Sequence, residues 1–388
     1  MMLNKARKIE ETIREWRRDI HRHPELGFQE FRTAELVADT CRRLGWRVRS
    51  GVGRTGVIAE LGEGRPRVGL RADMDALPIQ EANEANYASV VPGVMHACGH
   101  DAHTAMLLGA AQLLADAQFK GSIRLIFQPA EEVGDEEGIS GAPRMIEDGA
   151  AEGLDAVFAL HVDPDEEVGK ITVDEGYSSA GVDTFYGTII GTGGHGAYPH
   201  RVVDPIFITS LVIQGLNGIV SRRLHPFSPA VVSLGSIHGG AASNVIPDEV
   251  EICGTIRYLE PEVQEKIHVE VERALGISQT MGGDYRVKWE VGYPPMLNHA
   301  SAVAIIRQTA YQLLGEEAVG EPEDEMGAED FGFFTKEAPG AMFYLGCMMA
   351  GDMRCGHHSR FDIDESCLPI GSALLAQIAL NFLKQKGE

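Results

Sequence analysis

The stretch Met95-His96-Ala97-Cys98-Gly99-His100-Asp101-Ala102-His103 sets one cysteine, three histidines and an aspartate within nine residues. A thiolate and an imidazole two residues apart can hold a divalent metal. A Cys-x-His pair alone has no fixed geometry, and a histidine beside a helix start is often only a satisfied polar group, so this stretch is half of a site at most. Three apolar runs elsewhere end in residues that do not belong in a core. Residues 67–72 run into Asp73-Met74-Asp75, 122–128 into Pro129-Ala130-Glu131-Glu132, and 155–160 into His161-Val162-Asp163-Pro164. One loop carboxylate is usually just solvated. In open α/β sheets, however, reactive groups gather beyond the carboxyl ends of strands, and three such ends would add acids and an imidazole to the same rim as Cys98 and His100.

A hydrolytic site built on two metals needs several N, O or S ligands, plus a carboxylate that is not a ligand and can take a proton from water. Cys98, His100, His161 and one of Glu131 or Glu132 supply most of that inventory. A further ligand should come from the C-terminal part of the chain, where Gly356-His357-His358-Ser359 is the obvious source.

The elements that must position these groups are legible from periodicity. At 388 residues the chain exceeds the usual size of one core, which predicts two domains. Strands at 56–61, 67–72, 122–128 and 155–160 alternate with helices at 33–44, 102–114 and 142–148, an α/β pattern that predicts a mostly parallel central sheet. Before them, Leu3, Ala6, Ile9, Ile13, Trp16 and Ile20 form one apolar stripe on a helix over 3–20. The small-residue stretch Gly176-Tyr177-Ser178-Ser179-Ala180-Gly181 reads as a hinge. After it come a strand at 182–190, a helix at 206–223, strands at 230–237 and 250–257, a helix at 261–275 and a strand at 285–291. That β-α-β-β-α-β order is ferredoxin-like. Gly292-Tyr293-Pro294-Pro295 marks the return. The rest, with a helix at 301–314, a strand at 341–345 and a helix at 368–383, is short for a third domain and is expected to rejoin the first. The expected domains are therefore 1–180, 181–295 and 296–388, the middle one an insertion.

Composition excludes some functions. The formal charge of −23, from 57 acidic and 34 basic side chains, argues against a nucleic-acid or anionic-membrane partner. The sequence reads as having no apolar run long enough to cross a bilayer and no hydrophobic leader. Six cysteines without paired spacing fit a reducing cytoplasm, which would keep Cys98 available as a thiolate.

Further motifs run in the same order along nearly the whole chain. They are His21-Arg22-His23-Pro24-Glu25-Leu26-Gly27, Arg71-Ala72-Asp73-Met74-Asp75-Ala76-Leu77-Pro78, the 95–103 stretch, Phe127-Gln128-Pro129-Ala130-Glu131-Glu132 and Leu160-His161-Val162. Beyond the hinge come Gly193-Gly194-His195, Ser243-Asn244-Val245-Ile246-Pro247, Gly254-Thr255-Ile256-Arg257, Gly327-Ala328-Glu329-Asp330-Phe331 and His358-Ser359. Together they resemble the M20 family of metallopeptidases and amidohydrolases, in particular the branch of aminoacylases, hippurate hydrolases and amino-acid-conjugate hydrolases.

The resemblance implies a zinc-peptidase-like catalytic domain with an inserted lid and dimerisation domain. It implies two divalent metals per subunit held by Cys98, His100, Glu132, His161 and His358, with His357 a neighbour, Glu131 the general base and Asp75 orienting a ligand. Asp73 stands where many relatives have a metal-binding histidine, and with Glu329 is expected among the groups that support the ligands. His195 is expected to reach a partner subunit's site and stabilise an oxyanion, with Asn244 nearby and Arg257 gripping a substrate carboxylate. Thiolate and imidazole ligands favour zinc, although manganese, cobalt or nickel can occupy such mixed sites.

The implied reaction is hydrolysis of an N-acyl-amino acid to a carboxylic acid and a free amino acid by a cytoplasmic homodimer or tetramer. The alternatives are a dipeptidase or carboxypeptidase of the same family, and a metal- or ligand-binding relative that has lost catalysis. Two departures stand near the inferred rim: the segment 133–140 is longer and more acidic than the glycine run of relatives, and Arg360 replaces the proline common after the His-Ser pair.

Overall fold

The computed structural model describes residues 2–320, 326–351 and 354–387. The chain divides into two compact units. The larger takes in the chain up to Gly176, resumes at Leu297 and includes everything from Asp330 onward; the smaller spans Tyr177–Met296 and the short segment 326–329. The divisions fall within a few residues of the small-residue and Pro-Pro stretches, where few side chains can anchor the backbone.

A seven-stranded sheet organises the larger unit. Its order is Arg47–Val52, Gly56–Glu63, Gly121–Gln128, Arg67–Asp73, Ala156–Asp163, Gly340–Gly346 and Ile171–Thr172. The four inner strands pair in parallel, and the pairings toward both edges are antiparallel. The sheet is thus mixed, not mostly parallel as expected. The antiparallel share comes from the pairing of Gly56–Glu63 with Gly121–Gln128, from the Arg47–Val52 hairpin strand, too exposed and too basic to register as a strand in the sequence, and from the two-residue Ile171–Thr172 edge.

The inner strands read Val-Gly-Leu-Arg-Ala, Leu-Ile-Phe and Val-Phe-Ala-Leu because both of their faces are covered. Gly340–Gly346 lies parallel to Ala156–Asp163, so the C-terminal part does return to the first core. Register aligns the strand ends: Asp73 lies beside Gln128, and Arg71 beside Ala159, two residues before His161.

Two helices, His100–Ala115 and Leu368–Gly387, fill the core against this sheet. They approach closely because Gly109 has no Cβ; one built there would lie 2.2 Å from Ser372 Oγ. Contrary to the expectation from sequence, the C-terminal helix is long and apolar enough to cross a membrane by length and composition, over Glu365–Lys386. Most of that apolar stretch is buried inside the larger unit, which accounts for its composition. The expected helix over 3–20 is interrupted at Ile9, whose ψ of 11° separates Met2–Lys8 from Glu10–Arg22. Its stripe still faces inward, with Ala6, Ile13 and Ile20 fully buried.

The smaller unit holds a four-stranded antiparallel sheet in the order Ala230–His238, Glu249–Tyr258, Gly181–Ile190, Asp284–Val291. The helices Pro205–Arg222 and Pro261–Leu275 complete the β-α-β-β-α-β succession. Exposed and buried residues alternate along the first half of Glu249–Tyr258, as one covered face requires. Phe185, Ile252, Val212, Leu216, Ile267 and Val271 make the core beneath it. The first helix starts where Asp204 accepts hydrogen bonds from the Ile206 and Phe207 amides and Pro205 supplies a preset φ.

Candidate metal centre

Cys98, Gly99 and His100 sit at the entry to the His100–Ala115 helix. Gly99 has φ 92°, a left-handed conformation, and a Cβ there would fall 2.4 Å from Val162 Cγ2. Only glycine lets the helix start press against the strand end that carries His161.

His100 is buried, and its Nδ1 donates to Asp75, 3.0 Å from the backbone oxygen and 3.1 Å from Oδ1. That commits Nδ1 as a donor and makes Nε2 the ring atom that could face a cation once its proton is displaced. Nε2 is buried without a hydrogen-bond partner among the described residues, an arrangement that costs free energy unless a cation or another group completes it. His161 repeats the pattern: Nδ1 donates to Val162 O at 2.8 Å, and Nε2 lies 3.5 Å from Cys98 Sγ.

Donor atoms of Cys98, His100 and His161 lie within 4.8 Å of one another, as do those of Cys98, Glu132 and His357, and those of His100, Glu131 and Glu132. The three groups overlap through Cys98, His100 and Glu132 into one continuous patch of sulfur, nitrogen and oxygen donors.

Asp73, His100 and His103 are equally close, but Asp73 and His103 are already committed. His103 Nδ1 donates to Asp73 Oδ1 at 2.7 Å, and its Nε2 accepts from Val162 N at 2.9 Å. Arg71 Nη1 donates to Asp73 Oδ2 at 2.6 Å. Asp73 and His103 therefore tie three strand and helix ends together, and both ring nitrogens of His103 are taken up by protein hydrogen bonds. Asp75 is bound at both oxygens, since Oδ2 accepts from Glu132 N at 3.0 Å, so it orients His100 and holds the Glu131-Glu132 backbone.

Charge within the patch is shared. Burial would raise the Cys98 thiol, but the His161 and His100 charges outweigh it and bring it down to about 6. Burial would lower His161, but the Cys98 thiolate outweighs that and lifts it to about 9. Burial takes His103 down to about 4 against the pull of Asp73, consistent with the neutral ring its two hydrogen bonds require. For Asp75, burial opposes ionisation, while the His100 hydrogen bond and charge hold it below the usual range. The patch stores protons on imidazoles around a thiolate, and a cation would displace them.

The expected C-terminal ligand is His358, whereas the structure places the neighbouring His357 beside Cys98 and Glu132, with Nε2 3.0 Å from Glu132 Oε1. His357 has φ 57°, and its amide donates to Ala97 O at 2.7 Å, which turns the imidazole toward the patch. His358 is exposed, and its Nδ1 accepts from Arg360 N at 3.2 Å. Hydrogen bonds that His357 donates to Cys98 and Glu132 raise it to about 10.

Sequence reasoning also gave little weight to Asp330 and none to Arg71. Arg71 bonds Gln128, Asp73 and Asp330, and Asp330 further accepts from Gln128, Ser140 Oγ and Ala142 N. A fully buried arginine inside an apolar strand was the available signal. Glu329 is buried and groups with the smaller unit.

His195, Asn244 and Arg257 all lie in the smaller unit. His195 pairs with Val245 across a two-stranded ribbon, and Gly196 N donates to Asn244 O at 2.8 Å. His195 is exposed, and its Nδ1 accepts from Ala197 N at 3.1 Å, so Nε2 carries the proton. Arg257 is half-buried on Glu249–Tyr258 and donates to Thr255 Oγ1 and Ile256 O.

Residues 69–381 match the model of peptidase family M20/M25/M40. Over 388 residues the chain is 40% identical to thermostable carboxypeptidase 1 of Saccharolobus solfataricus, covering 98% of this chain and 97% of that protein. It is 39% identical over 380 residues to the N-acetyl-L-cysteine deacetylase of Bacillus subtilis, covering 96% and 88%. A solved Bacillus subtilis structure, described as a dinuclear metal binding peptidase from the M20 family, superposes with a TM-score of 0.85 at 34% identity, covering 97% and 99%.

Proposed function

Because the chain belongs to peptidase family M20/M25/M40, a family of amide-bond hydrolases among its relatives, we propose that it cleaves N-acyl-amino acids to a carboxylic acid and a free amino acid. The observation that carries the reading is the open, buried Nε2 of His100 beside the Cys98 thiolate, in one donor group with Glu131 and Glu132.

Cys98, His100, Glu132, His161 and His357 would hold two divalent ions, and their mixed S, N and O donors suit zinc. When bound, such ions polarise a carbonyl and acidify water. Glu131, buried among these donors, takes the proton of the attacking water and delivers it to the leaving nitrogen. Asp75 keeps His100 in the tautomer that presents Nε2, and Asp73 with His103 holds the strand end that carries His161.

In the same reading the smaller unit is a lid and dimerisation domain. His195 of a second copy donates its Nε2 proton to the developing oxyanion, with Asn244 beside it on the ribbon, and Arg257 holds the substrate carboxylate as a guanidinium fork. A homodimer in a reducing cytoplasm, where Cys98 stays a free thiol, belongs to this proposal.

The second reading is a carboxypeptidase or dipeptidase, favoured by the likeness to thermostable carboxypeptidase 1. Metal-stripped protein, with Zn²⁺, Mn²⁺, Co²⁺ or Ni²⁺ restored separately, should be offered N-acetyl, N-benzoyl and indole-acyl amino acids and dipeptides. Metal-dependent release of amino acid from an acyl class supports the first reading, and preference for dipeptides the second. No turnover with any ion at full metal loading would overturn both and leave a binding role.

A further inference from the structure

Four non-glycine residues among those described have left-handed backbones: Phe28, Arg54, Ala130 and His357, with φ of 59°, 77°, 45° and 57°. L-residues avoid this region, so the surroundings must hold each one there. Glu30 reaches the neighbourhood of three. Its carboxylate is fully buried, and Oε1 accepts from Phe28 N at 3.0 Å and from Ala130 N at 2.9 Å. Oε2 accepts from the hydroxyl of Thr55, which follows Arg54, at 2.5 Å.

On its other side the Ala130 peptide is held by Gly141 N, which donates to Ala130 O at 2.9 Å. Immediately after Ala130 come Glu131 and Glu132, and Asp75 grips Glu132 N. The turn that presents the base and a metal donor is thus tied at both ends by buried carboxylates.

We propose that Glu30 is a positioning residue, whose Oε1 clamps the left-handed Ala130 so that Glu131 and Glu132 are presented to the donor patch. The inference rests on the roles given above to Glu131 and Glu132. A carboxamide keeps an acceptor oxygen for both amides and can donate to Thr55, so glutamine preserves the clamp and alanine removes it.

The test combines steady-state kinetics on a substrate that the wild type cleaves with amide hydrogen exchange of the peptide spanning 129–132, both on the full chain loaded with Zn²⁺. Glu30→Ala should lower kcat by about 100-fold while KM stays within about threefold, because the reacting groups are displaced and the substrate contacts are not. Exchange at 130–132 should rise by at least about tenfold, while the His100–Ala115 helix stays protected. Glu30→Gln should stay within about threefold of wild type in every reading.

If Glu30→Ala does not fold, Glu30→Asp carries the same expectation, because its carboxylate ends one methylene short of Ala130 N. Wild-type kcat and exchange in the alanine variant, or equal damage from glutamine and alanine, would overturn the proposal. If the wild type cleaves no amide, the hydrolytic reading fails, and the exchange result alone decides whether the clamp exists.

Discussion

Cys98 and His100 stand at the start of a buried helix, whereas His357 stands in an exposed loop, and the same donor patch is built from both. In the first region the strand ends and the helix start fix where each side chain points. His100 and His161 both have Nδ1 committed to an oxygen, so residue type and spacing nearly suffice to name the donors that meet there. In the loop, two adjacent histidines offer the same chemistry, and the backbone alone chooses between them. The left-handed φ of His357 and its amide bond to Ala97 turn one imidazole in and leave the other in solvent. Donor groups set by a helix start and strand ends are thus legible from sequence, while a donor on a loop depends on a conformation that spacing does not specify.

The largest effect should come where the two regions meet. Glu131→Gln should keep full metal content by elemental analysis and lose about 10²–10⁴-fold in turnover, the usual worth of a proton-transferring group. Loss of metal in this variant would make Glu131 a ligand and blur the division between the regions. On the helix side, Asp75→Asn should weaken metal binding by about 10–100-fold in a chelator competition, since the His100 tautomer loses its anchor.

The pH dependence sharpens the contrast further. As pH falls below about 6, Cys98 takes up its proton and ceases to be a ligand; between about 6 and 9, binding must expel the proton held on His161. Metal affinity should therefore rise with pH, by about tenfold per unit for each proton released, and calorimetry in two buffers near pH 7.5 should detect at least one proton leaving.

The smallest effect concerns stability. Burial, with the Asp75 charge next, raises Glu30 from 4.5 to about 7. Between these values the folded chain holds a proton that the unfolded chain has lost, so stability should fall as pH rises through this window and level off above it. Glu30→Gln should flatten that limb of a Tm-versus-pH curve, and an unchanged curve would contradict it.

Much of the frame could be read in advance. The strands ending at Asp73, Gln128 and Asp163 and the order of the smaller unit follow from apolar runs bounded by glycine, proline and acids. The strand Arg47–Val52 escaped because it alternates charges with little apolar content, and the helix Phe331–Glu337 because Phe-Gly-Phe-Phe has no helical period. The sheet is mixed because Gly56–Glu63 runs antiparallel to Gly121–Gln128 and both edge strands, Arg47–Val52 and Ile171–Thr172, pair antiparallel as well. At the site, Asp330 and Arg71 were obscured for another reason: their partners are 190 to 259 residues away for Ser140 and Arg71, a separation that only tertiary packing brings together.

The central claim is that a metal centre bridges the buried helix start and the exposed loop through His357. Its most direct measurement is the metal stoichiometry and affinity of His357→Ala beside His358→Ala, both reconstituted with Zn²⁺. The account predicts that His357→Ala loses one ion or weakens it by at least about 100-fold, while His358→Ala binds like the wild type. The reverse pattern, or two variants that both bind normally, would contradict it.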